Sequence, residues 1–349
     1  MADNGPQTPD SQVSDAAAQE ATGGKKTKQK KPFYKKWWFW LIVIIVVVVI
    51  AAAGSGGGDD EETDATVDTG SASVTATVEE ADDADAEAEL VEFEEITVVD
   101  NDEVTITLTG LDPDYALGYT IDVTIVNKSS DVTYMVGVDD ANCSVDGVLI
   151  STLYAEEVAP GKTSYSELTI YDADELEEAG VAFTDIALSF YAYNSDDWTE
   201  EYVVDDAVAH VYPYGEDAAT TYARESAADD EVLVDNDYVT VTVIGYDPDA
   251  TLGYEVELYI TNKTDAEVMV STDDESINGI MCDPYWAVSM GANTSCFAEI
   301  SWYNSSLEEI GIEDAESEIS DIEFTLNVYD YDTFEDYVEG LDVTLSVQG

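Results

Sequence analysis

The chain has 349 residues, 78 of them acidic and only 11 basic, and its formal net charge is −67 at pH 7. Seven of the bases are lysines between Lys25 and Lys36, so after Gly54 four bases face 74 acids. This balance argues against nucleic-acid binding, because phosphate recognition needs a basic surface. The hydrophobic content of 45%, with 22 Tyr and 6 Trp, argues against global disorder.

The N-terminal part predicts a membrane anchor. Residues 1–36 form a basic tail that we expect to be disordered and cytoplasmic, and residues 37–53 are an uncharged apolar run, WWFWLIVIIVVVVIAAA. Its length is at the short end of the roughly 17–25 residues of a transmembrane helix. The preceding lysines place the N-terminus inside, and the tryptophans are typical of an interfacial belt. A cleaved signal peptide is the alternative, because Ala51 to Ala53 satisfy the small-residue rule.

Two segments have the composition of linkers. Residues 54–91 begin with GSGGG and continue as an acidic Ala, Thr and Val stretch, which predicts a flexible, extended tether. Residues 215–230 contain few apolar side chains and divide the remaining chain into residues 92–214 and residues 231–349. We call these two parts repeat 1 and repeat 2, because their sequences match.

The match is direct. The stretch VVDNDEVTITLTGLDPDYALGYTIDVTIVNK, which begins at Val98, returns as LVDNDYVTVTVIGYDPDATLGYEVELYITNK, which begins at Leu233. Asp100 aligns with Asp235, an offset of 135 residues, so the repeated unit is a whole domain rather than a solenoid repeat. The sequence therefore predicts tandem copies of one fold.

Alternating apolar residues in each repeat predict β-strands with one buried face. The pattern is clear in VTITL from Val104 and VTVTV from Val239, and it recurs in two later pairs of strands. About seven such strands in about 115 residues predict an all-β fold with two immunoglobulin-like antiparallel β-sandwich domains. One helical turn interrupts the strands, with Asp174 or Ser306 as its N-cap and Gly180 or Gly311 at its end.

These motifs resemble a known group of domains. The NK[ST] motif after a strand, the turns from Ser144 to Gly147 and from Ser276 to Gly279, and the LEExG helix are similar to uncharacterised immunoglobulin-like domains of Gram-positive surface proteins and lipoproteins. The segment KKPFYKKWWFW from Lys30 resembles the anchors of such proteins. The resemblance implies a surface location and no catalytic residue. The chain departs from the lipoproteins because it lacks a lipidation Cys directly after the apolar run.

Two Asp-Pro-Asp turns are candidate calcium sites. Asp112 and Asp114 in repeat 1 correspond to Asp247 and Asp249 in repeat 2, and clustered carboxylates in loops can bind Ca²⁺. The structural alternative is that these residues are turn formers, through side-chain hydrogen bonds to the backbone and the fixed φ of proline. Apart from this Ca²⁺ hypothesis, no cofactor is predicted.

Aromatic side chains are candidates for a ligand-binding face. Tyr285 and Trp286 stand in a loop after Asp283-Pro284, and they are the preferred pair. The other candidates are Tyr191, Tyr193, Trp198, Trp302 and Tyr303. The alternative is that these residues seal the sandwich cores, since aromatics favour strands.

The three cysteines are an odd number. Cys282 and Cys296 lie 14 residues apart across a predicted hairpin, and a disulfide between them is expected outside the membrane, whereas Cys143 stays free. No nucleophile elbow, zinc motif, P-loop or dinucleotide-binding glycine pattern occurs, so we expect no enzymatic activity.

The sequence therefore predicts a single-pass cell-membrane protein whose extracellular repeats bind a surface protein, a glycan or a host molecule. The rival hypothesis is an envelope spacer without a specific ligand, whose acidity serves solubility. Both rest on architecture, which does not define a ligand.

Overall fold

The computed structural model describes residues 90–115, 118–197, 199–251, 253–284 and 286–347. The predicted tail, the predicted transmembrane segment 37–53 and nearly all of the tether 54–91 lie outside these residues. Within them, no helix is long and apolar enough to cross a bilayer. The fold is all-β with antiparallel sheets, as the sequence predicts.

The described residues of repeat 1 form ten strands and one α-helix. The strands are β1 (Ile96–Asp100), β2 (Val104–Asp112), β3 (Tyr119–Asn127), β4 (Tyr134–Val138), β5 (Ser144–Val145), β6 (Val148–Leu149), β7 (Ala155–Val158), β8 (Thr163–Ile170), β9 (Ile186–Asn194) and β10 (Val204–Val211), and the helix is α1 (Ala173–Glu178).

In the described part of repeat 2 there are nine strands and two short α-helices. The strands are β11 (Glu231–Asp235), β12 (Val239–Ala250), β13 (Gly253–Asn262), β14 (Val268–Ile277), β15 (Ile280–Met281), β16 (Ala287–Met290), β17 (Ser295–Tyr303), β18 (Asp321–Asp330) and β19 (Asp336–Ser346), and the helices are α2 (Asn304–Glu309) and α3 (Ala315–Glu318).

Both repeats have the same strand pairing. In repeat 1, one sheet has the order β1-β2-β3-β8 and the other has the order β7-β4-β9-β10. In repeat 2, the corresponding orders are β11-β12-β13-β17 and β16-β14-β18-β19. The sequence repeat is therefore also a repeat of topology.

The alternating residues form the two cores. The predicted inward residues are buried: in repeat 1 they include Val104, Ile106, Leu108, Ile121, Val123, Ile125, Ile186, Leu188 and Phe190. Their counterparts in repeat 2 include Val239, Val241, Val256, Leu258, Ile260, Ile322, Phe324 and Leu326. Burial of these apolar side chains stabilises each sheet pair, at roughly 1.5–3 kcal/mol for a fully buried Val, Leu, Ile or Phe.

Glycines end the helices α1 and α2, as predicted. Gly180 has φ +90° and Gly311 has φ +87°, a left-handed conformation that glycine adopts without steric cost. In repeat 1, Gly180 donates its N–H to Glu177 O at 2.9 Å, and Val181 donates its N–H to Leu176 O at 2.9 Å. These bonds form a Schellman motif, and the equivalent residues of repeat 2 form the same pair.

The predicted N-caps are wrong. Helix α1 begins at Ala173 after Asp172, and α2 begins at Asn304, so Asp174 and Ser306 lie inside the first turns. Asp172 makes no side-chain cap bond, because its carboxylate accepts the backbone N–H of Ser151 instead, at 3.2 and 3.1 Å. A long-range contact thus replaces the local cap.

Candidate functional site

The predicted calcium residues form turns. Asp112 Oδ1 accepts the backbone N–H of Asp114 at 3.1 Å, and Asp247 Oδ1 accepts that of Asp249 at 2.9 Å. These are the side-chain hydrogen bonds of the structural alternative. Asp100 cannot join Asp112 in one site. It lies at the opposite end of the sheet, because it pairs with Thr105 at the start of β2, whereas Asp112 is at the end of β2. Among the described residues, no three His, Cys, Asp or Glu side chains are grouped so that they could hold a metal ion.

The predicted aromatic candidates separate into different environments. Trp302 is fully buried and donates its indole N–H to Cys282 O at 2.8 Å, so it belongs to the core of repeat 2. Trp286 is partly buried against the same core, whereas Tyr303 is exposed. Tyr285 and Trp198 lie outside the described residues. The structure therefore leaves Tyr191 and Tyr193 as the aromatic pair on an outer sheet face.

These two residues belong to a compact group with Tyr202, which we call the tyrosine cluster. The ring centroids of Tyr191 and Tyr193 are 6.1 Å apart, and those of Tyr193 and Tyr202 are 5.3 Å apart, both with interplanar angles of 24°. The third pair, Tyr191 and Tyr202, is separated by 6.0 Å. All three side chains are partly exposed, so they form one contiguous aromatic surface.

The strand period explains where the tyrosine cluster lies. Phe190 and Ala192 on β9 point into the core, so Tyr191 and Tyr193 point outward. Tyr191 pairs in register with Gly137 on β4, where a Cβ atom would lie only 2.5 Å from the Tyr191 hydroxyl oxygen. Glycine at 137 therefore makes room for the Tyr191 ring. Sequence reasoning missed Tyr202, which precedes β10 and reaches the cluster through the β9–β10 pairing.

Carboxylates surround the cluster. Burial raises the pKa of Tyr191, and the nearby Tyr193, Asp140 and Asp139 raise it further. Burial raises the pKa of Tyr193 as well, with an added contribution from Glu157. The aromatic surface is therefore bordered by negative charge.

The surroundings of Asp140 raise its pKa. Burial raises its pKa to about 6, and neighbouring Asp139 adds to the shift, while the bond that its Oδ1 accepts from the Thr152 hydroxyl at 2.6 Å opposes it. Asp139 is 8% exposed and its Oδ2 accepts the side-chain N–H of Asn142 at 3.2 Å. Two adjacent carboxylates are thus withdrawn from water beside the tyrosine cluster.

Repeat 2 does not reproduce the tyrosine cluster. Strand pairing aligns Tyr191 with Asn327 and Tyr202 with Asp336, and only Tyr193 has an aromatic counterpart, Tyr329. Asn327 donates its side-chain N–H to Asp273 Oδ2 at 2.9 Å, a polar contact in place of a ring. The two repeats share a fold but differ at this surface.

The cysteines are free thiols in the structure, including the predicted disulfide pair Cys282 and Cys296. The Cys282 thiol lies 3.9 Å from Ser306 O, and the Cys296 sulfur lies 3.7 Å from Met290 Sδ. All three cysteines are buried, and burial raises the pKa of each thiol. Such thiols are poor nucleophiles, because the thiolate is the reactive form.

The residues 215–230, predicted as a linker, contact both repeats. Tyr222 donates its backbone N–H to Asp146 O at 2.8 Å, and its ring lies 6.2 Å from that of Phe297 in repeat 2. Arg224 makes a two-pronged ion pair with Asp230, at 2.7 and 2.9 Å. Tyr222, Arg224 and Phe297 line a shallow cleft of about 380 Å³ between the repeats.

No protein-family model matches this chain, and no curated protein matches it either. The described residues present an aromatic surface with flanking carboxylates, an arrangement that suits the binding of a ligand or partner.

Proposed function

We propose that this chain is a membrane-anchored extracellular protein whose two immunoglobulin-like repeats bind a surface protein, a glycan or a host molecule, without catalysis. The immunoglobulin-like assignment is supported by strand order. In immunoglobulin domains, strand B pairs with strand E in one sheet, and strand C pairs with strand F in the other. Here β3 pairs with β8 and β4 pairs with β9, which are the corresponding pairs.

One observation carries the binding function: the tyrosine cluster is partly exposed on the outer sheet of repeat 1 and is absent from repeat 2. If the fold required these tyrosines for packing, both repeats would contain them, because their topology is the same. Tyrosine is enriched at binding surfaces, since it offers a large contact area and a polar tip. The cluster is therefore better explained by recognition than by packing.

A spacer without a ligand is the second candidate, and the junction between the repeats favours it. Ser295 of repeat 2 donates its N–H to Gly147 O of repeat 1 at 2.9 Å, and Gly291 donates to Ala141 O at 2.6 Å. These backbone bonds, with the contacts of Tyr222, connect the two repeats directly. A direct connection between repeats suits a spacer, although it also suits the presentation of a binding surface.

Adhesion of cells that display the full chain separates the two candidates. Cells carrying the native chain and cells carrying the double variant Tyr191→Asn, Tyr202→Asp are applied to sibling cells, protein-coated surfaces and glycan-coated surfaces. Repeat 2 has these residues at the matching positions, so the fold accepts them. The binding function predicts adhesion above that of cells without the chain, and its loss in the variant. Equal attachment of all three cell types would favour the spacer.

The proposed location has its own test. Protease added to intact cells should remove the two repeats, while residues 1–36 stay protected. Protection of the repeats in intact cells, with digestion after lysis, would place them inside the cell and overturn the extracellular assignment.

A further inference from the structure

We infer that a second copy of this chain docks on repeat 2, at the end that faces away from repeat 1. The contact repeats, between two copies, the junction that joins the two repeats within one copy. One surface is the hairpin formed by the end of β14 and by β15, and the other is the beginning of β8 with the turn before it. The inference goes beyond the proposed binding function and does not rest on it.

The junction within the chain is built on a hairpin of repeat 1. Strands β5 and β6 form this hairpin, and β6 pairs in parallel with β17 of repeat 2, with Val148 opposite Ser295. Gly147 O accepts the backbone N–H of Ser295 at 2.9 Å. Val148 is fully buried, and Leu149 packs against the core of repeat 2. The hairpin of repeat 1 is therefore one half of the junction.

Repeat 2 contains the same hairpin, but its apolar side chains are exposed. Strand pairing matches Ile280 with Val148 and Met281 with Leu149. Ile280 is 48% exposed and Met281 is 65% exposed. The surface that repeat 2 covers on repeat 1 is thus open on repeat 2 itself, and adjacent exposed apolar side chains favour association.

The other half of the junction also has an exposed counterpart. In repeat 2 this half includes Ser295 and Phe297, and Phe297 packs against the core of repeat 1. Strand pairing matches Ser295 with Thr163 and Phe297 with Tyr165. Thr163 is exposed, and Tyr165 is 81% exposed. Repeat 1 therefore offers the surface that a second copy needs in order to dock on the hairpin of repeat 2.

The two exposed surfaces lie at opposite ends of the paired repeats. Met290 pairs with Val268 at the start of β14, so the turn that contacts repeat 1 lies there, whereas β15 pairs with Ile277 at the end of β14. Copies can therefore join head-to-tail while the junction inside each copy stays intact. A head-to-tail contact that does not close into a ring produces open chains of copies.

The lengths of the loops are compatible with this contact. Residues 139–143 lie between β4 and β5, whereas only residues 273–275 occupy the matching place in repeat 2. In the junction, Gly291 abuts the longer loop and has no room for a side chain. Its counterpart Ala159 would face the shorter loop, which lacks two of these residues.

The charges near the two surfaces are complementary. Lys162 stands in the turn before β8, and among the described residues it makes no ion pair. Asp273 and Asp274 are exposed in the shorter loop of repeat 2. Such complementarity fixes the register of a contact. However, each copy has a formal net charge of −67, so mutual repulsion opposes the contact at low ionic strength.

Cross-linking of full chains in detergent, at about 0.5 M NaCl to screen this repulsion, is the test. Thr163→Cys and Ile280→Cys alter the counterparts of the paired residues Ser295 and Val148, so a short bismaleimide should join the two thiols. The two variants carry different epitope tags. We expect dimers with both tags in about tenfold excess over dimers of either variant alone. Val232→Cys, at an exposed position of β11, replaces Ile280→Cys in the control.

A chain with both Thr163→Cys and Ile280→Cys should give a ladder of trimers and larger species, because each copy then has a thiol at each end. Dimers of Ile280→Cys alone, at the yield of the mixture, would show a symmetric contact and overturn the inference. A mixture that gives no more two-tag dimer than the Val232→Cys control also overturns it. The native chain controls for the three buried cysteines.

Sedimentation of chains without added cysteines provides a second measurement under the same conditions. Met281→Gln and Tyr165→Ser keep the charge and remove apolar contact area, so each should weaken self-association about threefold to tenfold. Val232→Ser is the matched control and should change nothing. Equal self-association of all four proteins contradicts the assigned contact. The proposed function is tested separately, because adhesion to glycan-coated or protein-coated surfaces does not require copies to join.

Discussion

Gly291 in repeat 2 donates its backbone N–H to the carbonyl oxygen of Ala141 in repeat 1 at 2.6 Å. A Cβ atom at Gly291 would lie 2.5 Å from Asn142 Oδ1 and 2.7 Å from Ala141 O, so the contact has no room for a side chain. The matching position of repeat 1 is Ala159, which is exposed. The turn itself accepts alanine, and it is the junction that requires glycine at position 291.

Gly291→Ala should therefore loosen the junction while both repeats stay folded. We expect faster amide hydrogen exchange at Ser295, whose N–H bonds to Gly147 O, and a larger maximum dimension in small-angle scattering. The loss of stability at the junction should be about 1–3 kcal/mol, as for other overpacked sites. Ala159→Val is the control and should leave both measurements unchanged. Unchanged exchange in Gly291→Ala would contradict the assigned contact.

A buried asparagine fixes the same loop in each repeat. Asn127 is 1% exposed, and its side-chain N–H groups donate to Val132 O at 2.9 Å and Val158 O at 2.8 Å. Its Oδ1 accepts the backbone N–H of Ser129 at 2.9 Å. Asn262 is buried to the same degree and makes equivalent bonds in repeat 2. The amide therefore satisfies three backbone groups at once.

Asn127→Ala should lower the free energy of unfolding of repeat 1 by about 2–4 kcal/mol, because buried backbone groups lose their partner. Urea unfolding followed by tyrosine fluorescence measures this change, and Asn262→Ala should give a similar loss in repeat 2. Thr163→Ala, at an exposed strand position, is the control. A loss in Asn127→Ala no larger than in this control would show that the loop does not depend on the amide.

The sequence predicts those features that depend on local pattern. Period-two alternation identifies the buried faces, and Gly180 and Gly311 mark the helix ends, because a left-handed residue is a local requirement. The predicted N-cap of α1 is wrong, since the chain before this helix is fixed by the bond between Asp172 and the distant Ser151. Alternation also places Tyr191 and Tyr193 on one face. Their meeting with Tyr202 depends on the irregular β9–β10 register, which no local pattern encodes.

Thiol chemistry distinguishes free cysteines from the predicted disulfide. In the structure all three thiols are free and buried, so native protein should react very slowly with iodoacetamide. After unfolding without a reductant, we expect three labelled cysteines by mass spectrometry. The same experiment with prior reduction is the control. One labelled cysteine without the reductant, and three with it, would instead support the Cys282–Cys296 bridge.

Salt should stabilise the protein, because a net charge of −67 destabilises the compact state through self-repulsion. We expect the thermal unfolding midpoint to be about 5 °C higher in about 0.5 M NaCl than in buffer of low ionic strength, because the salt screens the charges. CaCl₂ and MgCl₂ at matched ionic strength should give equal midpoints. A rise specific to Ca²⁺ that disappears in Asp112→Ala and Asp247→Ala would support the calcium hypothesis.

Asp140 should contribute a pH dependence of its own. Its pKa in the folded protein is about 6, above the ordinary value of 3.8, so the folded state binds the proton more tightly than the unfolded state. The ionised carboxylate therefore lowers the free energy of unfolding above about pH 6. This loss becomes smaller as the pH drops through 6 towards about 4. Asp140→Asn removes this cost and keeps an acceptor for the Thr152 hydroxyl.

We expect Asp140→Asn to be more stable than the native protein at pH 7.5, on the order of 2 kcal/mol, since a tenfold change in proton affinity corresponds to about 1.4 kcal/mol. The difference should shrink as the pH falls through 6, and it should disappear only below the ordinary pKa of 3.8. Urea unfolding of both proteins across this range measures it, with Asp249→Asn, an exposed carboxylate in a turn, as the control. A difference that stays constant with pH would show that Asp140 carries its charge in the fold without penalty.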